Sequence, residues 1–441
     1  MSGLADRVRG IVGSSSPAPL GPTDAPVPPG QPRQSHPHPP TRADPTDPRD
    51  IVNVLGGTWC HSDHRADDDH GACFVVERRV DPSSSYGHAR VGDFAACLAA
   101  AAAEASIVAG GAARPPFTCV DLETTGLSGG AGTHAFLIGC GRFDEGGGFV
   151  TRQYVMTRYA DERPMLATVA AELTHTGALV SFNGKSFDAP VLETRYLFHR
   201  LEWAAGGLPH LDVLHPARRF WGTATTSCSL VALEQQVLGA WRQGDVPGFE
   251  IPARYFQFVR SGDARPLVAV LEHNRLDLLS LAGLAARLLY LVGAGAKAAR
   301  DAREALALGA VYGRAGLDAR ARDAYERAAA PGGASIAEIS VAALRALAIL
   351  SRRARRYHEA AACWHRLLAV DGCPPHAARE ATQALAIHHE HRLRDFAAAK
   401  TFALKGLERG QQPAWTDAVR HRLARIDRKM AGAEQRAGRL L

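Results

Sequence analysis

Large apolar residues are spread along the chain in distinct regimes, and each regime predicts a different kind of structure. From about residue 14 to 50 there are almost none. Pro, Ser, Asp and His dominate, so this stretch cannot bury enough surface to order itself, and a disordered lead is expected over 1–50. Residues 51–115 read as a small β/α extension: Cys73-Phe-Val-Val-Glu-Arg-Arg-Val80 as a strand, Pro82 to Gly87 as a turn, and Ala-rich Phe94 to Ala113 as one helix. From 116 to 293 short apolar runs alternate with turns. Strands are predicted at Phe117–Leu127, Ala135–Phe143 and Phe149–Thr157, and the Gly-rich turns between them make antiparallel hairpins. A helix follows over Asp161–Thr174, a strand at Ala178–Phe182, a helix through Leu201 and a strand at Leu211–Leu214. Ser227–Leu238 reads as helix, Pro247–Gly262 as loop and Pro266–Val292 as a long apolar helix. This order fits a mixed five-stranded sheet with helices on both faces.

Beyond residue 293 glycine thins out and helical periodicity repeats at about 38–39 residues. Leu308-Gly-x-x-Tyr312 is followed by Ala321, Tyr325 and Ala328. Leu347-Ala348 is followed by Ala360, Trp364 and Leu367, and Leu385-Ala386 by Ala398 and Phe402. Small residues at close-packing places with aromatics four later look like tetratricopeptide helix pairs over 294–441, with a final helix near Trp415–Ala431 as a cap. Such an array has a concave face for a protein or peptide partner, or it braces its neighbour. Arg352, Arg353, Arg355 and Arg356 read either as a solvated loop or as contacts to a nucleic acid strand.

Composition narrows the class. No run of 18 or more apolar residues occurs, so neither a membrane-spanning helix nor a membrane partner is expected. Eight cysteines lie scattered in apolar contexts, which fits reduced thiols in a cytoplasm. The net charge of +6 hides an asymmetry. From residue 296 onward about 26 Lys/Arg face about 15 Asp/Glu, whereas acids outnumber bases before it.

Asp121 and Glu123 alternate along a strand and so share one face at its end. Two carboxylates placed side by side repel each other and lose solvation, unless a cation sits between them. Asp188 lies where a strand passes into a helix, with Asn183 at the strand exit. His273 and Asp277 are four residues apart and share a helical face. Several acids at strand ends can hold two divalent ions, which clamp the attacking and leaving oxygens of a phosphodiester. Mg²⁺ and Mn²⁺ prefer such hard oxygen ligands, and a nearby His can take a proton from water.

Asp121-x-Glu123-Thr-Thr-Gly, Asn183-x-x-x-Phe-Asp188 and His273-x-x-x-Asp277 are similar to the three motifs of the DEDD (DnaQ-like) 3′–5′ exonucleases, which have the ribonuclease H-like fold. More narrowly, Asp121 to Thr133, Phe182 to Asp188, Asp212 to Arg218 and His273 to Leu278 resemble the YprB-like branch. The resemblance implies metal-dependent hydrolysis of DNA or RNA, with Asp121, Glu123, Asp188 and Asp277 holding Mg²⁺ or Mn²⁺ and His273 orienting or deprotonating water. Thr124, Thr125, Leu127 and Asn183 would line the path of the terminal nucleotide. One departure concerns His273. His-type members carry His five residues before the last Asp and Tyr-type members carry Tyr four before it, so this chain has a His at the Tyr spacing.

Two further features stay open. Asp212 is a metal ligand or a turn partner, and Cys60, His61, His64, His70 and Cys73 have zinc-ligand chemistry but match no compact finger spacing. The alternative to an enzyme is a catalytically silent protein that binds nucleic acid or acts as a scaffold.

Overall fold

The computed structural model describes residues 48–61, 72–126, 132–222, 227–330, 337–408 and 413–437. The expected disordered lead falls outside them, apart from its last residues. After α1 (Pro48–Leu55) come β1 (Thr58–His61) and β2 (Ala72–Val80), a small hairpin of β3 (Ser85–Tyr86) and β4 (Ala89–Arg90), and helices α2 (Val91–Ala99) and α3 (Ala102–Ala109). Next are β5 (Phe117–Thr124), β6 (Ala135–Phe143), β7 (Phe149–Val155), α4 (Glu162–Leu173), β8 (Ala178–Ser181), α5 (Asp188–Phe198), β9 (His210–Asp212) and α6 (Leu214–Phe220). Helices α7 (Leu230–Leu233), α8 (Ile251–Ser261) and α9 (Arg265–Ala294) complete this part.

The sheet has seven strands in the order β1-β2-β7-β6-β5-β8-β9, not five. The five predicted strands are its centre; β1 and β2 extend it from the β7 edge. Seven residue pairs from Phe74↔Val155 to Val80↔Phe149 join β2 to β7 antiparallel. The cause is chemical: β7 would otherwise expose a long row of unpaired backbone groups, and β2 supplies buried Phe74 and Val76 against it. β5 pairs antiparallel with β6 but parallel with β8, and β8 parallel with β9, so β5 is the switch between the two halves.

Three other elements differ from expectation. Phe94–Ala113 is not one helix: α2 and α3 meet at a bend of 79°. The Pro247–Gly262 segment contains α8, because Pro252 occupies its first turn, where the missing N–H costs nothing, and Ile251, Tyr255 and Phe258 then share a buried face. Ser227–Leu238 is a short α-helix followed by a π-helical turn at Glu234–Leu238. The 30-residue α9 is long and apolar enough to cross a membrane, yet its apolar positions, Leu278, Leu281, Leu284, Leu288 and Leu291 among them, are buried inside the protein. It packs against α1, α2, α3, α8 and strands β5 to β8.

After α9 the chain is helical: α10 (Ala302–Arg314), α11 (Asp318–Ala328), α12 (Ala337–Arg353), α13 (Tyr357–Leu368), α14 (Pro375–His388), α15 (Phe396–Glu408) and α16 (Pro413–Ala437). Each helix packs on the next, and α10 also reaches α12. Gly309 lets α11 close in, since a Cβ there would meet the Tyr325 ring at 2.4 Å. One continuous apolar core runs from Phe117 and Leu211 in the sheet through α9 to Leu385 in α14. Buried Glu304 stitches this junction polar-side, accepting from Trp221 Nε1 at 2.9 Å, Arg287 Nη2 at 3.0 Å and the Arg300 N–H at 2.7 Å.

A buried acid gathers the cations of the last helix, which also packs Val419 against Ala403 and Ala386. Glu390, buried in a π-helical turn after α14, accepts from Arg425 (2.7 and 2.8 Å), Lys429 (2.8 Å) and Arg422 (3.3 Å) of α16. The Arg425 hydrogen bond leads in holding its carboxyl down at about 2. Removing a buried charge that satisfies several partners costs about 1–3 kcal/mol. Glu390→Gln is expected to lower Tm and to let limited proteolysis release the segment from Pro413 onward before the rest is cut, as read by mass spectrometry.

Candidate active site

The position of the first acid pair follows from strand alternation. In β5, Phe117 and Cys119 belong to one core cluster and Val120 and Leu122 to the other, so Asp121 and Glu123 continue the first row, on the α9 side. The ladder with β6 shifts register between Glu123 and Thr124, a bulge that ends regular pairing beside the acids.

Asp121 is locked by a row of residues across three strands. It pairs in register with Gly139 of β6, which pairs with Gln153 of β7. Gly139 has no side chain, and a Cβ there would lie 2.2 Å from Asn274 Oδ1. Asn274 of α9 therefore drops into the gap, fully buried. Its Nδ2 donates to Asp121 Oδ2 at 2.8 Å, and its Oδ1 accepts from Gln153 Nε2 at 2.9 Å. Gln153 Nε2 also donates to the Leu271 carbonyl at 2.7 Å, tying α9 to the sheet.

Asp188 opens α5 after a tight turn out of β8. Asn183 takes a left-handed φ of 68° there, and Gly184 is packed so that a Cβ would meet Ser181 Oγ at 2.5 Å and Asp188 Oδ2 at 3.0 Å. Asp212 gathers the turn: its carboxylate accepts the N–H groups of Asn183 (2.9 Å), Lys185 (3.1 Å) and Leu214 (3.1 Å). These three bonds make Asp212 a turn partner, beside Asp188, on which its charge acts.

Asp277 and His273 come from α9, and here the structure adds residues that motif reading missed. Arg242, only 3% exposed, places Nη2 2.6 Å from Asp277 Oδ1, Nε 2.7 Å from Glu234 and Nη1 3.1 Å from Asp245. Asp245 Oδ1 takes His273 Nδ1 at 2.7 Å, which leaves Nε2 toward Asp277 at 3.4 Å. Tyr86 donates to Glu234 at 3.0 Å and meets Ser280 at 2.7 Å, so the N-terminal extension buttresses the same network. The only hint of Arg242 and Asp245 in the sequence is a pair of charges within a Gly-flanked loop. Asn274 and Gln153 are polar residues interrupting apolar elements, a stronger signal.

The electrostatics join the acids into one system. Burial, then the charges of Asp277, Glu123 and Asp188, push the Asp121 carboxyl well above its usual range against the Asn274 hydrogen bond. Burial, then Asp277, Asp188 and Asp245, do the same to Glu123. Burial and then Asp212 push Asp188 up to about 7. Asp277 is also raised by burial, although Arg242 and His273 oppose it. Burial works against Asp245 as well, yet His273 and Arg242 hold it below the usual range. As they stand, no three His, Cys, Asp or Glu groups among the described residues close on one ion-sized point. Their donor chemistry nonetheless suits a hard divalent cation: four half-buried carboxylates lie close enough that Asp277 and Asp188 raise the pKa of Asp121 and Glu123, and Arg242 reaches Asp277.

The remaining expected site residues have local roles. Thr124 Oγ1 donates to the Gly126 carbonyl at 2.9 Å, and Thr125 Oγ1 accepts the His134 N–H at 3.0 Å, so both shape the turn beside the acids. Leu127 lies outside the described residues, as do His64 and His70. Cys60 and Cys73 face each other as Cα partners across β1 and β2, and both are free thiols.

Residues 118–289 match the sequence model of the RNase_H superfamily. The fold over these residues fits a ribonuclease H-like one. Its mixed sheet, flanked by helices, carries the acids at the β5 end. Members of the superfamily are typically phosphodiester-hydrolysing nucleases that use divalent metal ions. The chain is also 38% identical over 167 residues to the uncharacterized protein YprB of Bacillus subtilis (strain 168), a match covering 37% of this chain and 40% of that relative.

An acid whose pKa is raised by folding contributes stability below its unfolded pKa and loses it as pH rises through the folded value. For Asp188 that window runs from about 4 to about 7. In chelator, Asp188→Asn is therefore expected to be more stable than wild type by up to about 4 kcal/mol at pH 8, with the advantage gone at pH 4, as measured by urea unfolding. Gly139→Ala is expected to lose about 1–3 kcal/mol in the same assay, because the new methyl displaces Asn274.

Proposed function

We propose that the ribonuclease H-like domain is a metal-dependent nuclease of the DEDD type, a 3′–5′ exonuclease acting on DNA or RNA. The observation that carries this reading is the half-buried set of Asp121, Glu123, Asp188 and Asp277, drawn from three separate elements, with the charges of Asp188 and Asp277 acting on the Asp121 and Glu123 carboxyls. These four carboxylates would hold two divalent cations, Mg²⁺ or Mn²⁺, which when bound stabilise charge on the scissile phosphate and make water a better nucleophile. Asn274 holds the Asp121 carboxylate in place through Gln153. His273 donates Nδ1–H to Asp245 and presents Nε2 on the acid side, so the ring is oriented to accept a proton from water despite its Tyr-type spacing. By the motif resemblance, Thr124, Thr125, Leu127 and Asn183 would line the path of the terminal nucleotide. The helical arm is read as a tetratricopeptide-like array for a protein or peptide partner, and the free cysteines agree with a cytoplasmic location.

A second reading rests on Arg242. A guanidinium 2.6 Å from Asp277, held from behind by Glu234 and Asp245, would also suit a silent descendant that binds nucleic acid or acts as a scaffold with its cation site closed.

Cleavage of end-labelled single-stranded DNA and RNA separates the two, run with Mg²⁺, with Mn²⁺ and with chelator. Stepwise shortening from the 3′ end that needs metal, and falls at least about 100-fold in Asp188→Ala and Asp277→Ala, is the expected result. Activity surviving in both variants sinks the assignment, and no activity on any substrate supports the silent reading. Arg242→Gln separates them further. It leaves three carboxylates short of their partner, so stability in chelator is expected to fall by about 3 kcal/mol. The rise in Tm on adding Mn²⁺ is expected to exceed that of wild type, because the cation no longer competes with a guanidinium.

A further inference from the structure

The helical arm turns three times on one edge. Helices α10 and α11, α12 and α13, and α14 and α15 are joined by short connections, so successive helices run antiparallel and these three turns fall on the same side. Each turn holds one left-handed residue: Gly316 at φ 72°, Arg355 at φ 58° and Arg394 at φ 55°, spaced 39 residues apart. The first turn uses glycine, which takes this conformation freely. The next two place an arginine there, where a Cβ is disfavoured. A strained position that retains a long cation in two repeats points to a use for the cation rather than for the turn.

The surroundings of those two residues agree. Arg352, Arg353, Arg355 and Arg356 are all exposed at the second turn, and Arg392 and Arg394 at the third. Arg392 lies 3.8 Å above the ring of Tyr357, the residue after Arg356, so the two clusters are contiguous. Nearby acids are engaged locally: Glu359 pairs with Arg322 at 2.7 Å and Arg356 at 3.7 Å, and Asp395 caps α15 through the Ala398 N–H. In the other direction the stripe reaches the nuclease domain. Arg314 ends α10, which packs on α6; burial and then the Arg314 charge lower the pKa of Arg219 in the last turn of α6. α6 begins two residues after Asp212, the acid that gathers the turn bearing Asp188.

We infer that this arginine edge is a phosphate track along which the strand being degraded is held as it leaves or approaches the acid site. The inference rests on the nuclease reading. Continuity with α6 favours a nucleic acid backbone over an acidic protein, because the stripe meets the last turn of that seven-residue helix, whose first residue donates to Asp212 beside the turn that carries Asp188.

The double variant Arg355→Gly, Arg394→Gly tests it in the full-length protein, because glycine relieves both backbones while removing both charges. Binding of labelled single-stranded oligonucleotides of about 8 and about 40 nucleotides is measured by anisotropy in chelator across a salt series. The expected result is a Tm equal to or above wild type and about 5- to 10-fold weaker binding of the long strand. The salt slope should fall by about 1–2, with binding and metal-dependent cleavage of the short strand unchanged. Unchanged affinity for the long strand overturns the track and leaves the nuclease reading standing. Polyglutamate that displaces the long strand as well as unlabelled oligonucleotide does would assign the edge to an acidic protein instead. A wild-type protein that binds neither length removes both the track and the nuclease reading.

Discussion

Like charge in a dry place is the constraint around which this protein is arranged. Asp121, Glu123, Asp188 and Asp277 are brought together by a sheet strand, a strand-to-helix turn and a long helix, and burial leaves water unable to screen them. The chain responds with fixed partners rather than with solvent. Asn274 donates to Asp121, Arg242 meets Asp277, and Asp212 accepts three backbone N–H groups. A cluster held at this electrostatic tension has a natural resolution in divalent cations, which is why its chemistry agrees with the superfamily match over residues 118–289.

Helix α9 is the element that makes the tension sustainable. Its apolar length anchors it in both core clusters, and within one turn of that helix His273, Asn274 and Asp277 meet Asp245, Asp121 and Arg242 respectively. Gly139 is what allows this approach, and Gln153 fixes its depth. The same helix continues into the contacts that carry the C-terminal helices, so the acid site and those helices share one apolar support.

Much of this was legible in the residues. The acids could be paired from alternation in β5 and from four-residue spacing in α9, because both periodicities are local. The five central strands were readable for the same reason. Cys73–Val80 was readable as a strand too, but not as part of this sheet, since nothing local tells it that its partner is β7, about seventy residues later, and β1 was not readable at all. α8 is hidden in the sequence because Ile251-Pro252 lies in a loop-rich passage, although proline in a first helical turn favours a helix start. Arg242 and Asp245 were invisible: their meaning depends on a loop folding back onto α9, and no spacing rule encodes that contact. Asn274 was readable in principle as a polar residue on a buried face, but its partner Gln153 lies on another strand.

The central claim is that the four acids are a cation site which Arg242 guards. Anomalous diffraction at the manganese edge, from a crystal of the protein soaked in Mn²⁺, tests it most directly. The account predicts anomalous density enclosed by Asp121, Glu123, Asp188 and Asp277, with the Arg242 guanidinium moved off Asp277 toward Glu234 and Asp245. Absence of density there at millimolar Mn²⁺, with Arg242 still on Asp277, would contradict it.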